Sequence, residues 1–162
     1  MNSISQLIYE DKEVAESFIR KMANCYNYIL DSYSDVLVKL KDELQFVYSY
    51  QYLLQTKYKN AIRIDSQLNE KDLEAKIPTL SLQLLIENAA KHNIINDEKP
   101  IVIKIKADAQ SIIISNNKTE KPESIESNKI GLSNIISRYK LLGYENVKIQ
   151  NDDSFTVILP KL

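Results

Sequence analysis

The sequence predicts an α+β protein in which a two-helix hairpin precedes a two-layer α/β sandwich, a mixed sheet with helices on one face. Before residue 60, apolar residues recur at three- and four-residue steps, the period of helices that bury one face. After residue 60, short β-branched strands alternate with helical stretches in the order β, α, β, β, loop, α, β, β. We therefore expect two regions, residues 1–59 and residues 60–162.

Two long helices are expected in the first region. Residues 2–32 contain no glycine or proline, and their apolar seam is broken once, by Asp11. A polar break follows, in which Ser34 or Asp35 can cap a second helix over residues 36–59. The seam positions of the two helices are Ile4, Ile8, Ala15, Phe18, Met22, Cys25 and Ile29, then Leu37, Leu40, Leu44, Val47, Gln51, Leu54 and Tyr58.

A hairpin of two such helices covers only part of each seam. Pairing two hairpins as a four-helix bundle covers the remainder, so we expect a homodimer through the N-terminal helices. The alternative is that the seams pack against the chain's own second region.

The second region is expected to contain five strands and two main helices. Pro78 is expected to fix the start of one helix, and Gly143 to end the other. The expected strands are 61–68, 101–106, 111–115, 146–150 and 154–159; the helices are 79–94 and 130–142, with a turn or short helix at 69–75, a hairpin turn at 151–153 and a polar loop at 118–129.

Composition excludes several classes of function. The net charge of -1 gives no basic excess that would favour nucleic acid as a partner. The chain has no apolar run long enough to span a bilayer and no signal-peptide pattern. The single cysteine, Cys25, excludes an internal disulfide, and its place in a helical seam favours a small apolar residue over a nucleophile.

The expected helix at 79–94 ends in polar residues. Leu84 shares a face with Asn88, and Lys91 and His92 follow one turn later. Burying an amide without partners costs about 1–3 kcal/mol, so this end is expected to face a cleft. A nucleotide with Mg²⁺ could supply the partners, because Asn offers a metal ligand, Glu87 a base and Lys a charge for phosphate. The alternative, from spacing alone, is a solvated helix end.

Residues 77–92 closely resemble the N-box, the nucleotide-binding helix of LytS/YesM-like sensor histidine kinases, which belong to the gyrase/histidine-kinase/MutL ATPase superfamily. The specific part of the match is Glu87-Asn88-Ala89 with Lys91-His92. Residues 2–8 are similar to the segment after that family's phosphoacceptor histidine, and residues 38–50 to its second dimerisation helix. The resemblance covers nearly the whole chain. It implies a partial dimerisation and phosphotransfer hairpin at 1–59, without the phosphoacceptor histidine, and a catalytic ATP-binding domain of histidine-kinase type at 60–162.

The resemblance implies roles for the N-box residues. Asn88 would hold Mg²⁺ against the phosphates of ATP, and Glu87 would be the catalytic base or orienting group. Lys91 and His92 would lie near the phosphates. For His92, a polar helix-end residue without a part in catalysis is the alternative.

The adenine pocket of the family is present with departures. Asn116 falls where the family has an aspartate that binds the adenine amino group, and its side-chain oxygen can accept the same hydrogen bond without charge. Lys118 stands at a usual glycine, and Asp152-Asp153 stands where Gly-Thr usually precedes the last strand.

The lid motif of the family follows at residues 129–134. Gly131 is retained, but Lys129 stands in place of the preceding glycine. A glycine at a helix N-terminus lets backbone N–H groups approach phosphate. The resemblance implies nucleotide contacts from Gly131, Leu132, Asn134 and Arg138, although Arg138 equally fits a surface residue.

The function implied is that of the ATP-binding kinase region of a two-component sensor histidine kinase. In the intact protein, the γ-phosphoryl group of ATP, with Mg²⁺, would pass to an upstream histidine and then to a response regulator, of LytTR type by analogy. We expect the region to lie on the cytoplasmic side of an inner-membrane protein whose membrane spans are upstream. Without that histidine, the chain alone would not autophosphorylate.

Two other functions compete with this one. Lys118, Lys129 and Asp152-Asp153 motivate a catalytically degenerate pseudokinase that acts as a dimeric interaction module. An unrelated helical adaptor would require the match at 77–92 to be chance.

Overall fold

The computed structural model describes residue 9 and residues 11–32, 34–122 and 130–162, apart from the side chains of Lys57 and Ile130. The helices are α1 (Lys12–Asp31), α2 (Leu40–Tyr58), α3 (Glu70–Leu73), α4 (Ser81–Lys91) and α5 (Ile130–Leu141), with a 3₁₀ turn at Lys59–Ala61. The strands are β1 (Leu37–Lys39), β2 (Ile62–Gln67), β3 (Lys76–Pro78), β4 (Ile101–Ala107), β5 (Ser111–Asn117), β6 (Lys148–Asn151) and β7 (Ser154–Pro160).

The main sheet has five strands in the order β2-β4-β5-β7-β6. β2 and β4 run parallel because the chain between them crosses back through α3, β3 and α4. The other neighbours are antiparallel, and short turns join β4 to β5 and β6 to β7. The expected α+β fold with a mixed sheet is therefore confirmed.

Alternation along β4 shows which face of the sheet is covered. Ile101, Ile103 and Ile105 are buried, whereas Lys104 and Lys106 between them are exposed. Since successive side chains in a strand point to opposite faces, the apolar face lies under the helices and the lysines face solvent. The helices thus lie on one face, as expected.

The first half of α2 belongs to the same hydrophobic core as the sheet. Leu40, Leu44 and Val47 are at most 5% exposed and cluster with the buried strand residues. Leu54 and Tyr58, further along the helix, are half-buried against the same core. This seam therefore packs on the chain's own second region, as the alternative in the sequence analysis required.

Asp11 marks a helix boundary, so the expectation of one continuous helix over residues 2–32 is wrong at this residue. Its backbone is extended, with φ -153°, and its side chain accepts hydrogen bonds from the N–H groups of Glu13 at 3.0 Å and Val14 at 3.1 Å. This is N-cap geometry. The seam positions Ile4 and Ile8 lie outside the described residues.

The second helix begins later than expected, at Leu40. The residues before it form β1, which pairs antiparallel with β3, and the Leu40 N–H donates to the carbonyl oxygen of Ala75 at 2.8 Å. The N-cap is Lys39, without a side-chain cap hydrogen bond, so the expected cap at Ser34 or Asp35 is wrong. Residues 37–39, which were expected in the first helical turn, instead pair with a strand nearly forty residues further along the chain.

The same pairing corrects the expected role of Pro78. Pro78 ends β3, and α4 begins at Ser81 after a turn formed by Thr79 and Leu80. Leu80 has the left-handed conformation, with φ 62°. The helix is also shorter than expected at its C-terminal end.

Other turns follow the sequence. Gly143 ends α5 with φ 84°, and the next N–H, of Tyr144, donates to the Tyr139 carbonyl oxygen at 2.9 Å.

Within the described part of the chain, no helix combines the length and apolarity that a bilayer crossing requires.

Truncation of a core strand residue should test the sheet packing. Ile112 on β5 is fully buried, so Ile112→Ala is expected to lower the free energy of unfolding by about 2–5 kcal/mol in urea denaturation. Ile149→Ala, on the edge strand β6 and 41% exposed, serves as the control, with a loss of about 1 kcal/mol or less. Equal losses for the two variants would contradict this packing.

Candidate functional site

A cavity of about 770 Å³ opens between α4, the C-terminal end of β5, the start of α5 and the turn before β7. Four residues singled out from the sequence line it, namely Asn88, His92, Asn116 and Leu132. The lining residues that sequence analysis did not single out as binding residues are Ala89, Asn93, Lys118, Thr119, Lys121, Ser133, Ile136, Asn151 and Phe155.

Asn88 lies on the cavity side of α4, beside the start of α5. A Cβ at Gly131 would be 3.6 Å from both Nδ2 and Oδ1 of Asn88, so the two residues are in contact. Within the described residues, no hydrogen bond to the Asn88 side-chain amide is present. Asn88 and Gly131, which the sequence analysis expected in the N-box and the lid motif, are therefore neighbours, and the Asn88 amide is available to a ligand.

Asn116 presents an acceptor at another wall of the cavity. It is 6% exposed and lies on the same face of β5 as Ile112 and Ile114. Its Nδ2 donates to the carbonyl oxygen of Asn117 at 2.6 Å. Because the amino half of the amide is engaged by the backbone, Oδ1 is the half that can accept from a ligand.

Asn93 is a structural member of the lining that the sequence analysis missed. Its Nδ2 donates to the Ala89 carbonyl oxygen at 2.8 Å, and its Oδ1 accepts from the Thr119 N–H at 2.8 Å. It ties the end of α4 to the segment after β5. The available sequence signal was a polar residue one position beyond the N-box match.

Glu87 and Arg138 are not brought to the cavity. Glu87 accepts hydrogen bonds from Gln83 Nε2 at 2.8 Å and from the Tyr50 hydroxyl at 3.4 Å, so it faces helix α2. Arg138 donates through Nη1 to the Thr79 carbonyl oxygen at 2.5 Å. Consecutive helix residues are about 100° apart, and this angle separates Glu87 from Asn88. Two further expected contacts, Lys91 and Asn134, are exposed and do not line the cavity.

The described lining is neutral or positive, with Lys118 and Lys121 and no carboxylate. Burial lowers the pKa of His92, and the charges of Lys91 and Lys121 lower it further, so the neutral form of this imidazole is favoured. Such a lining favours an anionic ligand, since it offers cations and neutral donors without a repelling charge.

Lys118 and Asp152, two residues that depart from the pattern described in the sequence analysis, contact each other. The Lys118 ammonium donates to the Asp152 carbonyl oxygen, across from β5 to the turn before β7. Lys118 therefore closes one edge of the cavity where the family has a glycine. Lys129, the departure in the lid, lies outside the described residues.

Comparison of the whole sequence with known proteins finds several that are similar to this chain. The family model described as Histidine kinase matches residues 1–62. Sensor protein LytS of Staphylococcus epidermidis is 29% identical over 121 residues, which are 72% of this chain and 20% of that protein. Over most of its length, this chain is therefore similar to the LytS sensor proteins. Sensor histidine kinase/phosphatase LytS of Staphylococcus aureus is 28% identical over 122 residues, 72% of this chain and 21% of the relative. The chain thus spans about a fifth of the length of the LytS proteins it matches.

Solved structures confirm the fold. The cytoplasmic segment of histidine kinase QseC superposes with a TM-score of 0.54 at 22% identity, covering 82% of each chain. The blue-light activated histidine kinase EL346 of Erythrobacter litoralis gives 0.51 at 13% identity, covering 91% of this chain and 54% of that one. At these identities the likeness shows the fold alone, which this chain shares with the matched parts of those two histidine kinases.

The electrostatics of the cavity can be tested at its histidine, the single one in the sequence. NMR titration of the imidazole is expected to give a pKa below the usual value of about 6.5. Lys121→Gln should raise that pKa, because removing a nearby cation stabilises the imidazolium. Lys106→Gln, on the solvent face of β4, should leave the pKa unchanged. A His92 pKa above 6.5, or one insensitive to Lys121, would contradict the positive lining.

Proposed function

We propose that the chain is the ATP-binding kinase region of a sensor histidine kinase, with the cavity beside α4 as its nucleotide site. The observation that carries the proposal is the placement of Asn88 against Gly131 at a cavity with no carboxylate among its described lining residues. A nucleoside triphosphate is a polyanion, so this charge pattern suits it. Relatives named as sensor histidine kinases support the same assignment.

The cavity suits a nucleotide base as well as phosphates. Leu132, Ile136 and Phe155 supply apolar surface, against which a flat base can be buried. Asn116 supplies an acceptor that matches the exocyclic amino group of adenine. An amino group on the base is therefore part of the proposed recognition.

Mg²⁺ fits this site only together with a nucleotide. Hard divalent cations take oxygen ligands, and Mg²⁺ in particular is held by few protein groups plus substrate phosphates. Asn88 offers one neutral oxygen, and no cluster of His, Cys, Asp or Glu that could hold a metal by itself occurs among the described residues. We propose Asn88 as the ligand. When bound, the ion would neutralise part of the phosphate charge.

Glu87 remains the proposed catalytic base, although it does not face the nucleotide. It faces α2 through Tyr50, so it lies on the side of α4 that is turned toward the helical hairpin. In the proposed kinase the accepting histidine lies upstream of this segment, in the remainder of that hairpin, and approaches α4 from the hairpin side. A base for the acceptor needs to reach the acceptor's proton and not the phosphates.

The remaining expected contacts divide into two groups. Gly131 and Leu132 border the cavity, and Lys91 and Asn134 are next to the lining residues His92 and Ser133, from where we propose that they reach the phosphates. Arg138 is not proposed as a phosphate contact, because its guanidinium donates to the main chain at Thr79.

The activity of the whole protein is part of the proposal, since the chain matches only about a fifth of each relative. We propose phosphoryl transfer to a histidine upstream of this segment and then to a response regulator of LytTR type. The region would lie on the cytoplasmic side of a membrane sensor, attached through upstream segments.

A homodimer through the N-terminal helices is also proposed. Although α2 is covered by the chain's own core, α1 exposes Ile19 by 45%, Tyr26 by 64% and Leu30 by 69%. These residues are seven and four positions apart and share one face of the helix. An apolar stripe of this kind is typical of a helix that packs against another helix.

Asn88→Ala should test the nucleotide site. The variant is expected to weaken Mg²⁺-dependent binding of ATP or ADP at least about tenfold, or about 1.4 kcal/mol, because a metal ligand is lost. Asn24→Ala, in the α1–α2 hairpin and away from the cavity, is the matched control and should bind as the wild type does. Isothermal titration calorimetry with and without Mg²⁺ measures both.

Two results would count against the proposal. Unchanged affinity in Asn88→Ala would show that the nucleotide lies elsewhere, and a wild-type chain that binds no nucleotide at millimolar concentration would favour the degenerate pseudokinase. A longer chain that includes the upstream histidine separates the two functions further, because a pseudokinase would bind or dimerise without incorporating phosphate from ATP.

The dimer can be tested with one charge on each of two exposed leucines. Leu30→Asp places a carboxylate in the α1 stripe and is expected to shift the chain toward monomer in sedimentation equilibrium. Leu141→Asp, on α5 and 88% exposed, adds the same charge away from the stripe and should leave the mass unchanged. A monomeric wild type, or equal behaviour of both variants, would refute the α1 interface.

A further inference from the structure

Glu43, on the first turns of α2, is a buried carboxylate that takes no part in the proposed chemistry. It is 0% exposed. Its Oε1 accepts from the Tyr28 hydroxyl at 2.7 Å and from the Leu80 N–H at 2.6 Å, and its Oε2 accepts from the Leu82 N–H at 3.0 Å. Burial raises the pKa of this carboxyl, and the three donors and the charge of Arg138 oppose that rise. One side chain thus joins α1, α2 and the start of α4.

The start of α4 depends on this carboxylate because it has no cap of its own. The N-cap residue is Leu80, whose side chain cannot accept a hydrogen bond, and its backbone is left-handed with φ 62°. A non-glycine residue in this conformation costs about 1–2 kcal/mol. Glu43 satisfies two N–H groups at the positive end of the helix, and the left-handed turn at Leu80 points both toward it.

Thr79, the residue before Leu80, is hydrogen-bonded both to the loop between α1 and α2 and to α5. Thr79 donates through Oγ1 to the Asp35 carbonyl oxygen at 2.5 Å and through its N–H to the Val36 carbonyl oxygen at 3.3 Å, both in the loop between α1 and α2. Its own carbonyl oxygen accepts from Arg138 of the lid helix α5. The hairpin, the N-box helix and the lid helix therefore meet at Thr79 and Leu80.

Tyr28 is the link to α1 in this junction. Its ring packs on Phe46, with 4.9 Å between ring centroids, and Phe46 stacks on Tyr50, with 6.0 Å between centroids. Tyr50 in turn donates to Glu87 in the middle of α4. Each tyrosine hydroxyl thus donates to a glutamate. Tyr28 binds Glu43, which lies on α2 and contacts the start of α4, and Tyr50 binds Glu87, which precedes Asn88 in α4.

We propose that Glu43 is a positioning residue that couples the placement of α1, through Tyr28, to the N-terminus of α4 and so to the affinity of Asn88 for nucleotide. A shift of α1 along α2 removes the Tyr28 hydroxyl from a carboxylate that has no access to water. The remaining donors are the two N–H groups of α4, so the loss is felt at the start of that helix. The inference rests on the proposed nucleotide site.

The coupling must act in both directions. If the Tyr28–Glu43 hydrogen bond increases nucleotide affinity by some factor, nucleotide strengthens that hydrogen bond by the same factor. A change in hairpin geometry imposed from upstream would then alter nucleotide binding, and nucleotide binding would resist that change. The junction provides a route for a signal without contact between the hairpin and the nucleotide.

The test compares two tyrosine variants. Tyr28→Phe keeps the ring contact with Phe46 and removes only the hydroxyl. Tyr48→Phe, the matched control, removes a hydroxyl of α2 that bonds Ser66 on β2 and has no part in the junction. Affinity for Mg²⁺-ADP is measured by calorimetry, and protection of the Leu80 and Leu82 amides is measured by NMR hydrogen exchange without nucleotide.

Tyr28→Phe is expected to weaken Mg²⁺-ADP binding about fivefold or more and to speed exchange at the two amides by at least a similar factor, at the scale usual for coupled sites. Tyr48→Phe should change neither. Glu43→Gln keeps the shape of the side chain but faces an amide N–H₂ toward a donor, so both effects should be larger. If Glu43→Gln does not fold, Tyr28→Phe decides.

The possible failures are distinct. A wild-type chain that binds no Mg²⁺-ADP overturns the proposed function, and the affinity part of this inference with it. Normal affinity and normal amide protection in Tyr28→Phe, with only a lower melting temperature, would make the contact purely structural and overturn the coupling alone. Equal losses in Tyr28→Phe and Tyr48→Phe would do the same, because the effect would not be specific to the junction.

Discussion

Burial of one face of α4 against the sheet sets the geometry on which the site depends. The buried positions follow helical spacing and are at most 4% exposed: Leu82, Leu85, Ile86 and Ala89. Each large apolar side chain removed from water contributes about 1.5–3 kcal/mol, so rotation of the helix about its axis is strongly resisted. With that face held, the 100° step between residues directs Asn88 and His92 to the cavity and Glu87 to the hairpin.

Charges around α4 are distributed so that the cavity is free of carboxylates within the described lining. Glu87 is turned away and held by Gln83 and Tyr50, and Glu43 is enclosed beneath the N-terminus of the helix. Both carboxylates lie on the hairpin side of α4. The helix therefore separates a surface that suits a polyanion from one that is connected by hydrogen bonds to α1 and α2. This separation gives a physical basis for the proposed dependence of the proposed nucleotide site on the hairpin.

Much of the fold follows from local patterns. The change from helical to strand period near residue 60, the alternation in β4 and the positive φ of Gly143 all agree with the sequence. The errors concentrate where distant segments meet. β1 and β3 pair across nearly forty residues, and this pairing displaced the start of α2 and the expected role of Pro78. Local sequence does not predict such a pair, because a three-residue strand is too short to show the alternation of apolar and polar residues that indicates a strand. The expectation of a continuous helix through Asp11 was wrong for another reason, because an aspartate in a helical seam fits a solvated helix position and an N-cap equally well.

For the candidate site, the sequence by itself determined the residue types and their order: the N-box match, the lid glycine, and asparagine in place of aspartate at position 116. It also placed Asn88 and Glu87 next to each other in the chain. The tertiary structure decided that Glu87 faces the hairpin while Asn88 faces the cavity, that Arg138 binds Thr79, and that Glu43 caps the helix from α2. The reason is physical. Residue type depends on the chain alone, whereas the direction of a side chain depends on which helix face is buried and on partners that lie far away in sequence.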